Sequence, residues 1–250
     1  MHAMLVMAAS HLRHFQPQEI CHRQQELEHF AQVIPAFNAA LSGPITEANS
    51  YALCACSLLI LKYSWACPEL ADRETNNSIE IGFGSLLELY SGMRRLALIL
   101  LTIHDPYIYS VMFYRPIETI RRYSKATNVP SELEAFFTHC ARNGTALEMD
   151  AARCLIPILS ALKIGEVELE ASGLMPDISR YLFFLPMLSS AEYVQLLRND
   201  DEVSLIILLY YFALVRRLLS GKFWWMRERS AHLCEWLLAR LGNKCERCIS

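Results

Sequence analysis

The sequence predicts an all-α fold, and we expect residues 1–250 to form one compact domain of about ten helices. No run alternates apolar and polar residues with a period of two for long enough to indicate a strand. Apolar residues recur instead at helical spacing, between prolines that separate one helical segment from the next. Only nine glycines and ten prolines occur in 250 residues, which argues against a turn-rich all-β protein.

Three helices are predicted in the first quarter of the chain. Residues 1–14 carry apolar side chains three to four positions apart, which is the spacing of one helix face. Pro17 separates this helix from a second amphipathic helix, which we expect to end near Pro35, because proline disrupts a helix interior. The Ser-Gly-Pro sequence at residues 42–44 is a break, and a mostly apolar helix then runs to Cys67.

The middle of the chain is expected to be more irregular. Residues 72–78 are polar and rich in asparagine, which indicates an exposed loop. A long helix is predicted over residues 79–103. Short helices separated by prolines are predicted between residues 106 and 130. The Ser-Glu-Leu-Glu sequence at residues 131–134 is a capping box that opens another helix.

The last hundred residues contain the longest uncharged apolar run, residues 203–215. A helix is predicted over residues 145–162, with a kink or break at Pro157. Residues 189–192 form a second capping box, which opens a helix to about residue 198. Two long helices follow, near residues 201–219 and 223–241.

The charge balance excludes a protein that holds nucleic acid by a strongly basic surface. The chain has 23 Lys and Arg residues against 26 Asp and Glu residues, and its net charge is −3. Binding of nucleic acid by counterion release needs a basic patch that this composition does not supply. The longest uncharged apolar run, residues 203–215, is shorter than the roughly 20 residues of a membrane span, so we expect none.

The cysteines and the N-terminus indicate a reducing compartment. Most of the nine cysteines lie within apolar helical patterns, where a free thiol behaves as a small hydrophobic group. The apolar N-terminal residues lack the preceding basic segment of a signal peptide. We therefore expect reduced thiols and a location in the nucleus or cytoplasm.

No motif points to a metal ion, a cofactor or a catalytic residue. Cys245 and Cys248 have the spacing of half a zinc site, but no second pair of ligands stands at a matching distance. No Gly-x-Ser-x-Gly elbow is present. We expect no metal ion, no cofactor and no catalytic residue, which favours a binding module over an enzyme.

An acidic cluster beginning at Asn199 has two interpretations. In one, Asn199 caps the following helix and Glu202 completes a capping box. In the other, Asp200, Asp201 and Glu202 bind Mg²⁺ and a diphosphate at the mouth of a helical cavity, as in an isoprenoid cyclase. An aspartate-rich motif would need aspartate where Ser204 stands, so capping is the favoured interpretation.

Large aromatic side chains concentrate in the last third of the chain. Clusters of aromatic side chains more often pack a hydrophobic core than line a ligand pocket. The alternative interpretation is that these side chains line a ligand pocket between helices. In that alternative, the residues predicted to bind a ligand or to face a dimer partner are Phe183, Phe184, Tyr210, Tyr211, Trp224 and Trp225.

Four segments, in order along the chain, carry a family resemblance. They are residues 1–12 (MHAMLVMAASHL), 45–59 (ITEANSYAL, then SLL), 192–215 (EY through LYYFALV) and 223–226 (FWWM). Together they resemble the C-terminal regulatory domain of fungal zinc-cluster transcription factors of the sterol uptake regulator type.

The resemblance implies an all-helical domain that binds a hydrophobic small molecule, such as a sterol or terpenoid, and forms a homodimer. In that family a separate N-terminal zinc-cluster segment binds DNA. This chain lacks the six-cysteine cluster, so we expect no direct DNA binding by it. The alternative is a stand-alone enzyme of a biosynthetic cluster, similar to a terpene cyclase, that uses the apolar helical cavity.

Overall fold

In the computed structural model of the chain, the described residues are 1–67, 85–103, 120, 138, 142, 144–161 and 166–249. Every regular element among them is helical, and ten α-helices have bounds within them. The predicted all-α class and the predicted number of about ten helices are therefore confirmed. The assignment of residues 1–250 to one domain stays a prediction, and the chain divides into two compact units.

The first unit comprises Met1–Asn76, Ile81–Tyr114 and Ser220–Arg229. Its complete helices are α1 (His2–Phe15), α2 (Ile20–Ser42), α3 (Glu47–Ala66) and α4 (Ser85–Thr102). Helix α1 packs against α2 and α3, and α3 packs against α4. A core cluster of this unit is formed by Val6, Val33, Ile60, Tyr63 and Cys67.

Helix α2 does not end near Pro35, so that prediction is wrong. The helix continues through the proline to Ser42, at the predicted break. A proline inside a helix removes one backbone hydrogen bond, and its ring crowds the preceding turn. Ile34 and Phe37, on either side of Pro35, pack against the core cluster. The partial burial of these side chains contributes to offsetting the cost of the proline.

The second unit comprises Asn77–Glu80, Arg115–Leu219 and Ser230–Ser250. Its complete helices are α5 (Ala146–Ala161), α6 (Glu166–Ala171), α7 (Met175–Phe184), α8 (Ala191–Arg198) and α9 (Glu202–Leu219), with a 3-10 turn at Leu185–Leu188. The apolar helix α9 packs against α5, α7 and α8. Its side chains Leu205, Phe212 and Val215 are fully buried.

The last helix, α10 (Trp224–Ile249), contributes its first residues to the first unit and the remainder to the second. It extends beyond the end predicted near residue 241. Helix α5 likewise runs through Pro157 without a break. Leu155 and Ile158, on either side of that proline, are buried, and their packing maintains the helix.

Ser190, and not Ser189, caps α8, because the Ser190 side chain accepts a hydrogen bond from the Tyr193 amide at 3.1 Å. The predicted loop at 72–78 and the capping box at 131–134 lie outside the described residues, as does most of the region between residues 106 and 130. Of the helix predicted over 79–103, the described part is α4. Among the described helices, none combines the length and hydropathy that crossing a membrane requires.

Candidate functional site

The first unit contains a cleft of about 470 Å³, which we call the tryptophan cleft. One face of α1, the start of α2, the end of α3 and the start of α10 form its walls. Its lining residues are Ser10, Arg13, His14, Pro17, Glu19, Ile20, Arg23, Trp65, Ala66, Trp224, Trp225 and Glu228. On α1, Arg13 and His14 stand three and four positions after Ser10, so the helix presents these side chains on one side.

The three tryptophans of the cleft are held by specific contacts. Trp65 is fully buried, and its indole N–H donates a hydrogen bond to the Tyr90 hydroxyl oxygen at 3.0 Å. The Trp224 ring lies 5.2 Å from the His14 ring, centroid to centroid. The Lys62 ammonium lies 5.9 Å from the centroid of the Trp225 ring. These contacts give the cleft preorganised aromatic walls.

A buried guanidinium hydrogen bond fixes the start of α10. Arg229 is buried and donates a hydrogen bond to the backbone carbonyl oxygen of Ser64, near the end of α3. Trp224 and Trp225 lie within two helical turns of Arg229. The hydrogen bond therefore holds the segment that carries both tryptophans against the wall that Trp65 forms.

A buried carboxyl group holds two arginines at the cleft. Glu26 is fully buried on α2, and Arg13 Nε lies 2.6 Å from its Oε2 atom. Arg23 Nη1 lies 3.3 Å from Glu26 Oε1 and also donates to the Cys67 sulfur at 3.7 Å. Because Arg13 and Arg23 both line the cleft, Glu26 positions two cations in its wall.

Burial raises the pKa of two other titratable groups of this unit. The pKa of Tyr63 is raised above its ordinary value, first by burial and then by the nearby Cys67 and Glu26. Burial raises the pKa of the Cys54 thiol to about 11. Neither group contributes charge near neutral pH.

The structure places two of the six predicted ligand-binding residues in this cleft. Trp224 and Trp225 line it, and both are half-buried. The other four residues, Phe183, Phe184, Tyr210 and Tyr211, belong to the second unit. A ligand-binding role for any of the six stays a prediction.

In the second unit, two of these aromatics are buried by helix packing. The Phe183 and Phe184 rings lie edge to face at 4.9 Å, and Phe183 is buried. Tyr211 is buried, and its hydroxyl group donates a hydrogen bond to the Leu182 carbonyl oxygen at 3.1 Å. Phe184 and Tyr210 are half-buried. Core packing accounts for the contacts of Phe183 and Tyr211.

The acidic cluster is used for capping and ion pairing. Asp201, and not Asn199 as predicted, caps α9, because its Oδ2 atom accepts from the Ser204 amide at 2.8 Å. Asn199 instead ends α8. Asp200 adopts a positive φ of 57°, which lets the chain turn between the two helices, and its carboxylate pairs with Arg240, whose Nε lies 2.8 Å from Oδ1.

Within the part of the chain that the structure describes, no three His, Cys, Asp or Glu side chains are grouped so as to hold a metal ion. Glu202 is exposed in the first turn of α9.

Sequence reasoning missed Ser10, Arg13, Arg23 and Trp65 as site residues. The spacing of three between Arg23 and Glu26 predicts an ion pair on one helix. Arg13 lies on a different helix, and its contact with Glu26 depends on the packing of α1 against α2. No local pattern carries that information.

Comparison with protein-family models, with curated proteins and with solved structures found no match. The fold and the cleft therefore define the class of protein. It is an all-α chain with an aromatic cleft whose wall carries two arginines.

Proposed function

We propose that this chain is a ligand-sensing regulatory domain of a fungal transcription regulator, and that its tryptophan cleft binds a hydrophobic small molecule such as a sterol. The observation that carries the proposal is the cleft of about 470 Å³ lined by Trp65, Trp224 and Trp225. Ligand pockets commonly have volumes of about 300–1,000 Å³, with aromatic walls and a few polar groups.

The position of the cleft supports the regulatory part of the proposal. Residues 1–12 and 223–226 are two of the segments that resemble the regulator family, and they supply Ser10, Trp224 and Trp225 to the cleft. A ligand that contacts both α1 and the start of α10 favours the arrangement in which these helices lie together. Binding then shifts the population towards that arrangement, which is how a ligand signal reaches a partner.

Self-association is part of the same proposal, and α1 is its candidate surface. The side chains of Met4, Leu5 and Leu12 on this helix are exposed. Exposed apolar side chains grouped on one element are typical of interaction surfaces. Sedimentation equilibrium of the chain and of a Leu5→Gln/Leu12→Gln variant tests this: a dimer that dissociates in the variant is expected, and a monomeric parent chain contradicts it.

Energy transfer from tryptophan to the fluorescent sterol dehydroergosterol tests the ligand-binding part. We expect saturable binding that Trp224→Ala weakens at least about tenfold, because one aromatic wall is lost. The matched control is Trp236→Ala, since Trp236 belongs to the second unit and lies outside the cleft lining. Absence of binding, or equal affinity in the two variants, would contradict the proposal.

A further inference from the structure

Two histidine side chains on different helices meet at the surface of the first unit. His2 is the first residue of α1, and His29 lies in the third turn of α2. Their Nδ1 atoms lie 3.3 Å apart. His2 is exposed and His29 is half-buried, so solutes reach the pair from the surrounding water. Neither histidine lines the tryptophan cleft, so the pair is a separate feature of this unit.

The packing of α1 against α2 holds the two histidines near each other. Val6 stands one helical turn after His2, and Val33 stands one turn after His29. Both valines are buried in the core cluster of the first unit. The two backbones therefore cannot move apart without exposing a valine, and only side-chain rotation is left to separate the two rings.

The distance between the two nitrogens suits two ligands of one metal ion. Zinc binds an imidazole nitrogen at about 2.0–2.1 Å, and two such ligands of a tetrahedral site then stand about 3.3 Å apart. The observed distance between the Nδ1 atoms is 3.3 Å. The ring centroids lie farther apart, at 5.3 Å, so both rings extend away from the region between their nitrogens. Stacked rings would instead hold centroids and nitrogens at similar distances.

A hydrogen bond between the rings is the alternative use of this contact. It needs a proton on one Nδ1 atom, which donates to the other. At 3.3 Å such a bond is longer than the about 2.9–3.0 Å that is typical of N–H donors. When an ion binds, that proton moves to Nε2 of the same ring, and both Nδ1 lone pairs are then directed at the ion. The observed spacing thus serves a shared ion better than a hydrogen bond.

The two ligands select a borderline transition metal ion. Imidazole nitrogen suits Zn²⁺, Ni²⁺ and Cu²⁺, whereas Mg²⁺ and Ca²⁺ prefer oxygen ligands. The positive end of the α1 dipole opposes a cation only weakly, because water screens it at this exposed position. Within the described part of the chain, no third His, Cys, Asp or Glu side chain joins the pair. Water molecules therefore complete the coordination of the ion.

We infer that His2 and His29 form a two-histidine zinc site that ties α1 to α2, with water as the remaining ligands. Spacing along the chain does not reveal the pair, because the two histidines stand 27 positions apart on different helices. A bound ion stabilises the packed arrangement of the two helices by mass action, since the site is lost when α1 leaves α2. The zinc site goes beyond the proposed function, and the failure of either leaves the other standing.

NMR spectra of the imidazole nitrogens, recorded on the full chain during a Zn²⁺ titration, test the site. The Nδ1 signals of His2 and His29 are expected to shift together on one saturation curve, with one ion per chain. Mg²⁺ at the same concentrations is expected to leave both signals in place. Because the histidine signals are read directly, zinc that binds to cysteine thiols is not counted.

Removing one ligand tests whether the two rings act together. In His29→Gln, the Zn²⁺ affinity of His2 is expected to fall at least about tenfold, because a single imidazole lacks the effective concentration of a second ligand. His2→Gln is expected to have the same effect on His29. The control is His232→Gln, which removes an exposed histidine of the second unit. This variant should leave the affinity of the pair within about twofold of the parent value.

The tie between the helices has its own measurement. Zn²⁺ is expected to slow amide hydrogen exchange in the first turns of α1 severalfold in the parent chain and to leave it unchanged in His29→Gln. Exchange that zinc does not slow in the parent chain overturns the tie.

Two results of the titration overturn the site itself. Separate saturation curves for the two histidines, or an unchanged affinity in His29→Gln, show two independent imidazoles. The absence of any shift at millimolar Zn²⁺ shows that no ion binds. If a variant fails to fold, the titration of the parent chain with Zn²⁺ and Mg²⁺ decides the matter.

Discussion

Each unit buries a glutamate, but the partners of the two carboxyl groups differ. Glu26 in the first unit pairs with Arg13 and Arg23, which line the tryptophan cleft. Glu148 in the second unit accepts hydrogen bonds from the Thr145 amide and, at 3.0 Å, from the Ser204 hydroxyl. The comparison teaches that the partners of a buried acid, and not its burial, indicate whether it serves a site.

The Glu148 contacts are structural. The carboxyl group closes a capping box with Thr145 at the start of α5 and ties that helix to Ser204 on α9. The Glu26 contacts contribute little to the net stability of the fold, because a buried ion pair adds little net stability over apolar packing. Positioning two arginines at the cleft is the better explanation of Glu26.

The same substitution at both glutamates gives the largest expected difference. Glu26→Gln is expected to lower the free energy of unfolding by about 3–5 kcal/mol, because the buried carboxylate that two partly buried guanidinium groups contact loses its charge. Urea denaturation followed by circular dichroism measures this. Glu28→Gln, at an exposed position of the same helix, is the control and should change the free energy by less than about 0.5 kcal/mol. A loss below about 1 kcal/mol at Glu26 would show that its charge is not needed.

Alkaline pH is expected to lower the free energy of unfolding through a group of the first unit, by somewhat less than Glu26→Gln does. The pKa of Cys54 is about 11 in the folded chain against an ordinary value of 9.0, so above pH 9 the unfolded chain loses a proton that the folded chain keeps. The stability that this thiol contributes is fully present below pH 9. It falls between pH 9 and 11 by about 1.4 kcal/mol per pH unit, to a total of about 3 kcal/mol.

Cys54→Ala tests this sign, since it removes the titrating group. The free energy of unfolding at pH 8 and pH 10.5 should differ less in this variant than in the parent chain. The raised pKa of Tyr63 also lowers the stability at alkaline pH, but it does so equally in the parent chain and in Cys54→Ala. Tyr63 therefore does not contribute to the difference between the two proteins. Cys21→Ala removes an exposed thiol and serves as the control. An unchanged pH dependence in Cys54→Ala would refute the assignment.

Most of the fold could be predicted from the sequence because helices are encoded by local patterns. Apolar spacing and prolines placed the bounds of α1 and α9 within one residue of those observed. The predicted end at Pro35 was wrong because the packing of Phe37 against the core is a tertiary contact. The rule that proline disrupts a helix interior describes only the local cost of the proline. It does not include the packing of neighbouring side chains that offsets this cost.

The candidate site could be predicted only in part, for the same reason. One aromatic criterion selected both Trp224 and Tyr211 from the sequence. Trp224 lines the cleft, whereas Tyr211 is buried and bonded to the Leu182 carbonyl. Composition does not separate these two environments. Arg13 reaches Glu26 only through the packing of two helices, which the spacing along one helix does not contain.

The smallest expected effect on the free energy of unfolding is that of replacing Glu148, the buried glutamate of the second unit. Glu148→Gln keeps an oxygen acceptor for the Thr145 amide and the Ser204 hydroxyl, so it should cost only about 1 kcal/mol, the difference between a charged and a neutral acceptor. Ser204→Ala should cost a similar amount, and a double-mutant cycle of the two should show coupling of at least about 0.5 kcal/mol. If Glu148→Gln instead destabilises the chain as much as Glu26→Gln, the carboxyl group of Glu148 balances a positive charge, and the contrast between the two units fails.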